Sequence, residues 1–142
     1  MGGGGSEVDR FAAVLQGVGY VERLCYDYLD LLGAPVDGDL LLTGGATRNE
    51  YWCQLRADIL GRPVAVPDNS EPALGMAVLA ASPGRDPADV AAEMVRIRVT
   101  IDPRVGSGER FSASYVALVD ELEGRGWLGP ALAAHARERA GR

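Results

Sequence analysis

The sequence predicts an α/β fold in which helices pack on a short, mostly parallel sheet. Two apolar runs, Asp39-Leu40-Leu41-Leu42 and Val64-Ala65-Val66, are each followed by a segment with helical spacing. Strands that alternate with helices are typical of parallel sheets. The first run is too short for a helix and too apolar for a surface loop, so it indicates a fully buried, parallel strand, and the second run is also typical of a strand.

A long helix is predicted before the first strand. Residues 1–6 read MGGGGS, which resembles a flexible linker left by an expression tag, so we place the folded part at residues 7–142. Apolar side chains recur every three or four positions over residues 7–32, which predicts one amphipathic helix ended by Gly33-Ala34-Pro35. The repeat consists of Phe11, Val14, Leu15, Val18, Val21, Leu24, Tyr28 and Leu31.

A glycine-rich turn, Thr43-Gly44-Gly45-Ala46-Thr47, follows the first apolar run. Glycine allows close backbone approach, and the free N–H groups of a helix start attract anionic or nucleotide ligands. Thr47 and Glu50 have the spacing of a capping box, so the next helix is predicted to begin at Thr47.

The helix after the turn has an inner face of Trp52, Leu55 and Ile59, with Asp58 off that stripe, and Gly61-Arg62-Pro63 ends it. Ser70-Glu71-Pro72 opens a further helix. The remaining pattern predicts a short helix over residues 87–94, an extended segment over 96–101, and helices over 111–122 and 128–138.

The run from the first strand to the alanine-rich helix resembles the C-terminal domain of the FGGY carbohydrate kinases, which include xylulose, glycerol, ribulose and gluconate kinases. The matching stretch, residues 40–81, is LLLTGGATRNEYWCQLRADILGRPVAVPDNSEPALGMAVLAA. The resemblance rests on the glycine pair, the Cys-Gln-Leu-x-Ala-Asp-Ile-Leu helix, the Gly-Arg-Pro-Val connection and the Glu-Pro-Ala-Leu-Gly-x-Ala helix.

The resemblance implies part of an actin-like, ribonuclease-H-like ATPase domain that binds ATP with Mg²⁺ and serves phosphoryl transfer to a sugar hydroxyl. In the family the glycine turn lies beside the adenosine, which implies that Gly44, Gly45 and Ala46 pass against the base and ribose. Asn49 would direct its side chain to the adenine. Within the family, the run from Thr43 to Arg48 is most similar to xylulose-type members.

The resemblance also implies functional parts that lie upstream of these residues. They are the Asp-x-Gly-Thr phosphate loop, the sugar-contacting residues and the aspartate that accepts the hydroxyl proton. We therefore assign no catalytic residue, expect the chain alone to be inactive, and expect a sugar to bind only together with the N-terminal domain. Carboxylates such as Asp58 and Asp68 are predicted to be solvated or to cap helices.

Other interpretations of the turn are weaker. A Gly-Gly turn after a strand often serves only as a tight connection. The spacing is not the G-x-G-x-x-G of dinucleotide sites. A P-loop is excluded because the chain contains no lysine.

The composition limits which partners the protein is expected to bind and in which cellular compartment it is expected. A formal charge of −6 with scattered arginines argues against nucleic acid, and no apolar run approaches the roughly 20 residues of a membrane span. The start has no signal-peptide pattern, so we expect a cytoplasmic protein. Cys25 and Cys53 are predicted to be buried thiols, and His135 to be exposed, with no metal site.

Two hypotheses of different kinds follow. The first is the adenosine-binding portion of an ATP-dependent carbohydrate kinase. The second is a non-catalytic α/β module that forms a homo-oligomer through an open sheet edge. The first requires nucleotide recognition that depends on Asn49, and the second an oligomer indifferent to ATP.

Overall fold

A computed structural model describes residues 6–34 and 37–141. Its elements in chain order are α1 (Glu7–Leu31), β1 (Leu40–Leu41), a 3₁₀ turn (Gly45–Arg48), α2 (Glu50–Leu60), β2 (Val64–Pro67), α3 (Ala73–Ala81), α4 (Pro87–Met94), β3 (Ile97–Ile101), α5 (Ser107–Gly124) and α6 (Pro130–Ala140). The chain forms two compact units. The first holds the described residues up to Gly38 with 58–61 and 103–141, and the second holds 39–57 and 62–102.

The long first helix is confirmed, and its ends have clear physical causes. Ser6 caps α1: its hydroxyl accepts from the Asp9 N–H at 3.2 Å, and its own N–H donates to the Asp9 carboxylate at 2.8 Å. Gly33, at φ 74°, terminates the helix in the left-handed conformation. The predicted stop at Pro35 and residues 1–5 of the predicted linker lie outside the described residues.

The apolar stripe of α1 does not face the rest of its unit. Phe11, Val14, Val18 and Val21 are each more than half exposed, whereas the buried positions of α1 are Gly19, Tyr20 and Asp27, of which Tyr20 and Asp27 lie opposite the stripe. The periodicity therefore identified a helix with two distinct faces. It does not mark the face that this unit buries.

The buried face of α1 is held by aromatic packing, polar contacts and one close approach. Tyr20 lies against Phe111 and Tyr115 of α5, with ring centroids 6.4 Å and 5.9 Å apart. The Tyr115 hydroxyl of α5 donates to the Asp27 carboxylate at 2.5 Å, and Arg139 of α6 donates to the same carboxylate at 2.8 Å. A Cβ at Gly19 would lie 2.6 Å from the Cδ1 atom of Ile59, so glycine is needed for this contact. Asp27 is thus a buried carboxylate that links three helices.

The sequence-based prediction for His135 is wrong. Its side chain is only 23% exposed, and its Nε2 atom lies 2.8 Å from the Asp30 carboxylate. The carboxylate at residue 30 is 105 positions away in sequence, so the alanine-rich surroundings of His135 gave no sign of it.

The second unit contains a three-stranded sheet of order β1-β2-β3. β1 pairs parallel with β2, as expected, but β3 joins the other edge of β2 antiparallel, so the sheet is mixed. The prediction of a fully buried first strand is wrong: Leu42 is buried, but Leu40 is half-buried and Leu41 is 43% exposed, because β1 is an edge strand. Every residue of β2 is buried. β1 and β3 are edge strands, and pairing of either with another chain stays a prediction.

Helix α2 follows the predicted stripe but begins and packs differently. Leu55 and Ile59 are buried and Gly61 ends the element at φ 63°, as expected. Asp58, predicted at the surface, is fully buried because the Arg104 backbone N–H (2.7 Å) and guanidinium (2.8 Å from Nε) donate to its carboxylate. It is a structural carboxylate.

The elements after α3 confirm the helices and the extended segment that the sequence predicted. The predicted helices over 87–94, 111–122 and 128–138 correspond to α4, α5 and α6, and the extended segment is β3. Within the described residues, no helix is both long and apolar enough to cross a membrane.

Candidate functional site

The carboxyl ends of β1 and β2 bring two loops to one edge of the sheet. Because the two strands are parallel, the turn after β1 and the loop after β2 leave on the same side. Gly44 N–H donates to the Ser70 carbonyl at 2.6 Å, which joins the loops directly. In α/β sheets, ligands bind outside the carboxyl ends of the strands, so this edge is the candidate site.

The Thr47 side chain links the two loops at this edge, and it is not the helix cap that the sequence predicted. Its hydroxyl donates to the Gly44 carbonyl at 2.8 Å and lies 2.9 Å from the Ser70 hydroxyl, and the residue is 5% exposed. The segment Gly45–Arg48 is a 3₁₀ turn, which moves the start of α2 to Glu50. The predicted capping box with Glu50 is therefore absent, because the Thr47 hydroxyl is used across the two loops.

Gly44 has a conformation that essentially only glycine adopts, with φ 88° and ψ 171°. Gly45 has no positive φ, and a Cβ on either glycine would meet no atom within 4 Å among the described residues. Gly45 and Ala46 are exposed. The turn thus presents an open stretch of backbone whose shape depends on Gly44.

Asn49 is the residue that caps α2. Its side-chain oxygen accepts from the Trp52 N–H at 3.1 Å, and its backbone N–H donates to Ala46 O at 3.1 Å. Asn49 itself is exposed. With the oxygen occupied, the Nδ2 group is the part of the side chain suited to donate to a ligand.

Two clefts border the turn and share Thr47, Arg48 and Arg98. The larger, about 430 Å³, also has Glu50, Val66, Val99 and Ile101 in its wall. The smaller, about 190 Å³, continues along Pro67, Asp68, Asn69, Ser70 and Glu71. The structure therefore places Gly44, Gly45, Ala46 and Asn49 on one turn, with the clefts beside the neighbouring Thr47 and Arg48.

The charges around these clefts are mixed. Arg48 lies 3.6 Å from Glu71, and both side chains are largely exposed, so this ion pair is weak in water. Arg98 was not singled out from the sequence; its place on an apparently alternating strand gave no sign that it lines a cleft. Ser70 could have been found, because polar residues that follow neighbouring parallel strands meet at one edge.

Cys53 lies beneath the turn, where its Sγ atom is 3.6 Å from the Thr47 carbonyl oxygen. Burial raises the pKa of this thiol, so it is an inert packing group as predicted. Cys25, predicted to be buried as well, is exposed on α1.

A larger cavity of about 520 Å³ lies in the first unit, and no residue of the glycine turn lines it. Two arginines in its wall already have partners. Arg139 donates to the Asp27 and Asp30 carboxylates. Arg23 donates to the Ile59 carbonyl at 3.4 Å and lies over the face of Tyr115. Volume alone therefore favours this cavity as the ligand site. The open backbone and the convergent loops favour the strand edge as the ligand site.

No group of three or more His, Cys, Asp or Glu side chains is placed to hold a metal ion in the part of the chain that the structure describes. Any Mg²⁺ would therefore need ligands other than such a cluster of described residues.

Comparison with known proteins decides the family. A model of the C-terminal domain of the FGGY family of carbohydrate kinases matches residues 5–83, more than half of the chain. The chain belongs to this family. The matched range includes α1, the glycine turn, α2, β2 and α3.

Two similar proteins support this assignment. The FGGY chain is 38% identical over 100 residues to a glycerol kinase from Koribacter versatilis (strain Ellin345), a match that covers 63% of the chain and 20% of that protein. It is also similar to the crystal structure of xylulose kinase from Rhodospirillum rubrum, with 27% identity and a TM-score of 0.66.

The structural match covers 87% of this FGGY chain and 26% of the xylulose kinase, so the chain spans about a fifth to a quarter of the relatives' lengths. The predicted fold class is confirmed: the chain is part of an actin-like ATPase domain.

Proposed function

We propose that this chain is the adenine-nucleotide-binding portion of an ATP-dependent carbohydrate kinase. One observation carries the proposal: the turn at Gly44, which depends on glycine, stands open at the carboxyl edge of two parallel strands. Nucleotides bind at such edges in α/β folds. Family membership supports phosphoryl transfer as the chemistry of the complete enzyme.

In this proposal the backbone of Gly44, Gly45 and Ala46 lies against the base and ribose. Neither the φ of Gly45 nor the atoms around it require glycine at this position. Close approach of a ligand to the backbone would require glycine, so Gly45 supports the assignment. Asn49 donates from Nδ2 to the adenine while its oxygen keeps the cap on α2.

The complete enzyme is proposed to phosphorylate a xylulose-like sugar or polyol. One relative is a xylulose kinase and another a glycerol kinase, so both names agree with a small polyhydroxy acceptor. ATP would bring Mg²⁺ on its phosphates, and both would be held mainly by parts of the kinase outside this chain. Phosphoryl transfer depends on positioning and charge stabilisation, so the chain alone is expected to bind nucleotide without transferring phosphate.

The test is titration of the isotopically labelled chain with ADP and ATP, followed by NMR amide shifts and calorimetry. We expect the amides of Gly45 and Ala46 to shift first. Asn49→Ser removes the amide donor but keeps an oxygen suited to the helix cap, and it should weaken binding about fivefold, the value of one neutral hydrogen bond.

Asp86→Ser is the matched control. The Asp86 side chain also accepts a backbone N–H at a helix start, from Ala88 at 2.8 Å, but Asp86 lines neither cleft. Equal effects of the two substitutions, or shifts confined to residues away from the turn, would contradict the nucleotide role. A stable oligomer that ignores ATP would favour the second hypothesis.

A further inference from the structure

The peptide groups on both sides of Gly44 are held by hydrogen bonds. The Gly44 N–H donates to the Ser70 carbonyl at 2.6 Å. The Gly44 carbonyl accepts from the Thr47 N–H at 3.1 Å and from the Thr47 hydroxyl at 2.8 Å. Together these bonds fix the backbone of Gly44 at φ 88° and ψ 171°, so the glycine turn has a defined shape from its first glycine onward.

The Thr47 hydroxyl has a second partner on the loop after β2. A threonine hydroxyl donates one proton and can accept as well. Because the proton of Thr47 goes to the Gly44 carbonyl, the Ser70 hydroxyl, 2.9 Å away, donates to Thr47 Oγ1. Thr47 is 5% exposed, so these linked bonds lie out of water, where hydrogen bonds are stronger than in solvent.

Holding the Gly44 carbonyl also sets the direction of the next N–H group. In a planar trans peptide, the carbonyl oxygen and the following N–H point to opposite sides. With the Gly44 carbonyl turned towards Thr47, the Gly45 N–H is turned away from it. Within the described residues, no group accepts from the N–H of Gly45 or Ala46, and both residues are exposed. The turn therefore presents free donors, and the direction of the Gly45 donor depends on Thr47.

Closing the turn does not by itself require the hydroxyl of Thr47. The Thr47 N–H already bonds the Gly44 carbonyl, and an apolar side chain of similar size could fill the same buried space. What the hydroxyl adds is a fixed direction for the peptide group between Gly44 and Gly45. We propose that Thr47 is a positioning residue for nucleotide binding, which directs the Gly45 N–H at an acceptor atom of the bound nucleotide. This inference rests on the nucleotide-binding function proposed above.

Thr47→Val tests the inference, because valine has a similar volume and lacks the hydroxyl. We expect the dissociation constant for ADP, measured by calorimetry, to rise about fivefold, the value of one neutral hydrogen bond. In the free protein, the NMR order parameter of the Gly45 N–H should fall, because its peptide group is held less firmly. Thr47→Ser keeps the hydroxyl and should restore both the affinity and the order parameter.

Ser82→Ala is the matched control. The Ser82 hydroxyl is buried in the same unit and also donates to a backbone carbonyl, that of Val78 at 2.7 Å, but Ser82 lines neither cleft. Its removal should change neither readout. Ser70→Ala is a second variant in case Thr47→Val does not fold. It removes the donor to Thr47 and keeps the backbone bond to Gly44, so both readouts should change in the same direction by a smaller factor.

The outcomes distinguish the role of Thr47 from the nucleotide site itself. If ADP shifts the Gly45 and Ala46 amides of the unaltered chain and Thr47→Val binds ADP equally well, the positioning role is overturned while the nucleotide site stands. Equal losses of affinity in Thr47→Val and Ser82→Ala also overturn it, since any lost buried hydroxyl would then suffice. An unchanged Gly45 order parameter in Thr47→Val overturns it without reference to a ligand. If ADP shifts no amide of the turn in the unaltered chain, both proposals fall.

Discussion

Replacing Gly44 with alanine should destabilise the second unit through the backbone alone. Gly44 sits at φ 88° and ψ 171°, a region that other residues occupy at a cost of about 1–3 kcal/mol. The added Cβ would meet no atom within 4 Å, so no steric clash contributes. We therefore expect Gly44→Ala to lower the free energy of unfolding by about 1–3 kcal/mol.

The assay is urea unfolding followed by Trp52 fluorescence in a Trp127→Phe background. Trp127 is 71% exposed, so its removal should be harmless. Gly45→Ala is the control, because Gly45 has the same open space without a positive φ, and its effect should stay within about 0.5 kcal/mol. Equal losses at the two positions, or a loss at Gly44 below that value, would refute the reasoning.

Two further predictions concern the first unit. Arg104→Ala should cost about 1–3 kcal/mol in urea unfolding, because the buried Asp58 carboxylate loses its guanidinium partner, which is 59% exposed, but keeps the backbone N–H of residue 104. Arg85→Ala breaks an exposed pair and should cost under about 1 kcal/mol; similar costs would contradict the structural role of Asp58. The hydrogen bond from His135 lowers the pKa of Asp30 below its ordinary 3.8, so its stabilising effect is complete above that value and is lost as pH falls through the lower folded pKa. Acid unfolding of Asp30→Asn should lack this component, and identical acid profiles for the two proteins would contradict it.

Local signals in the sequence predicted the elements well. The C-terminal ends of α1 and α2 follow from Gly33 and Gly61, whose roles depend only on neighbouring backbone. The cap at Ser6 was not predicted, because Ser6 was assigned to the linker. The glycine turn was also predicted, because two glycines directly after an apolar strand are compatible with few structures other than a tight turn. Such features need no knowledge of distant partners.

Contacts between distant residues were the part that the sequence could not reveal. Asp58 is paired with Arg104, 46 positions away, and Thr47 with Ser70, 23 positions away. Each polar residue fits a local role, such as a cap or a solvated surface group, until a partner from another element is in place. Helical periodicity has the same limit: it separates the two faces of α1 without stating which one this unit buries.

The two faces of α1 differ in what they can contribute to stability. Buried ion pairs such as Asp27–Arg139 are costly to break, yet their net value is often near zero, because desolvation offsets the attraction. The inward face also carries apolar packing, because Tyr20 is 5% exposed and its ring lies against those of Phe111 and Tyr115. The outward face keeps Phe11, Val14, Val18 and Val21 more than half exposed. Fully burying a Val or Phe side chain contributes about 1.5–3 kcal/mol, so covering the exposed halves of these four would add on the order of 4 kcal/mol. The inward face of α1 thus supplies the stability that the first unit has, and the outward stripe that the sequence identified holds a further amount that is gained only when those side chains are covered.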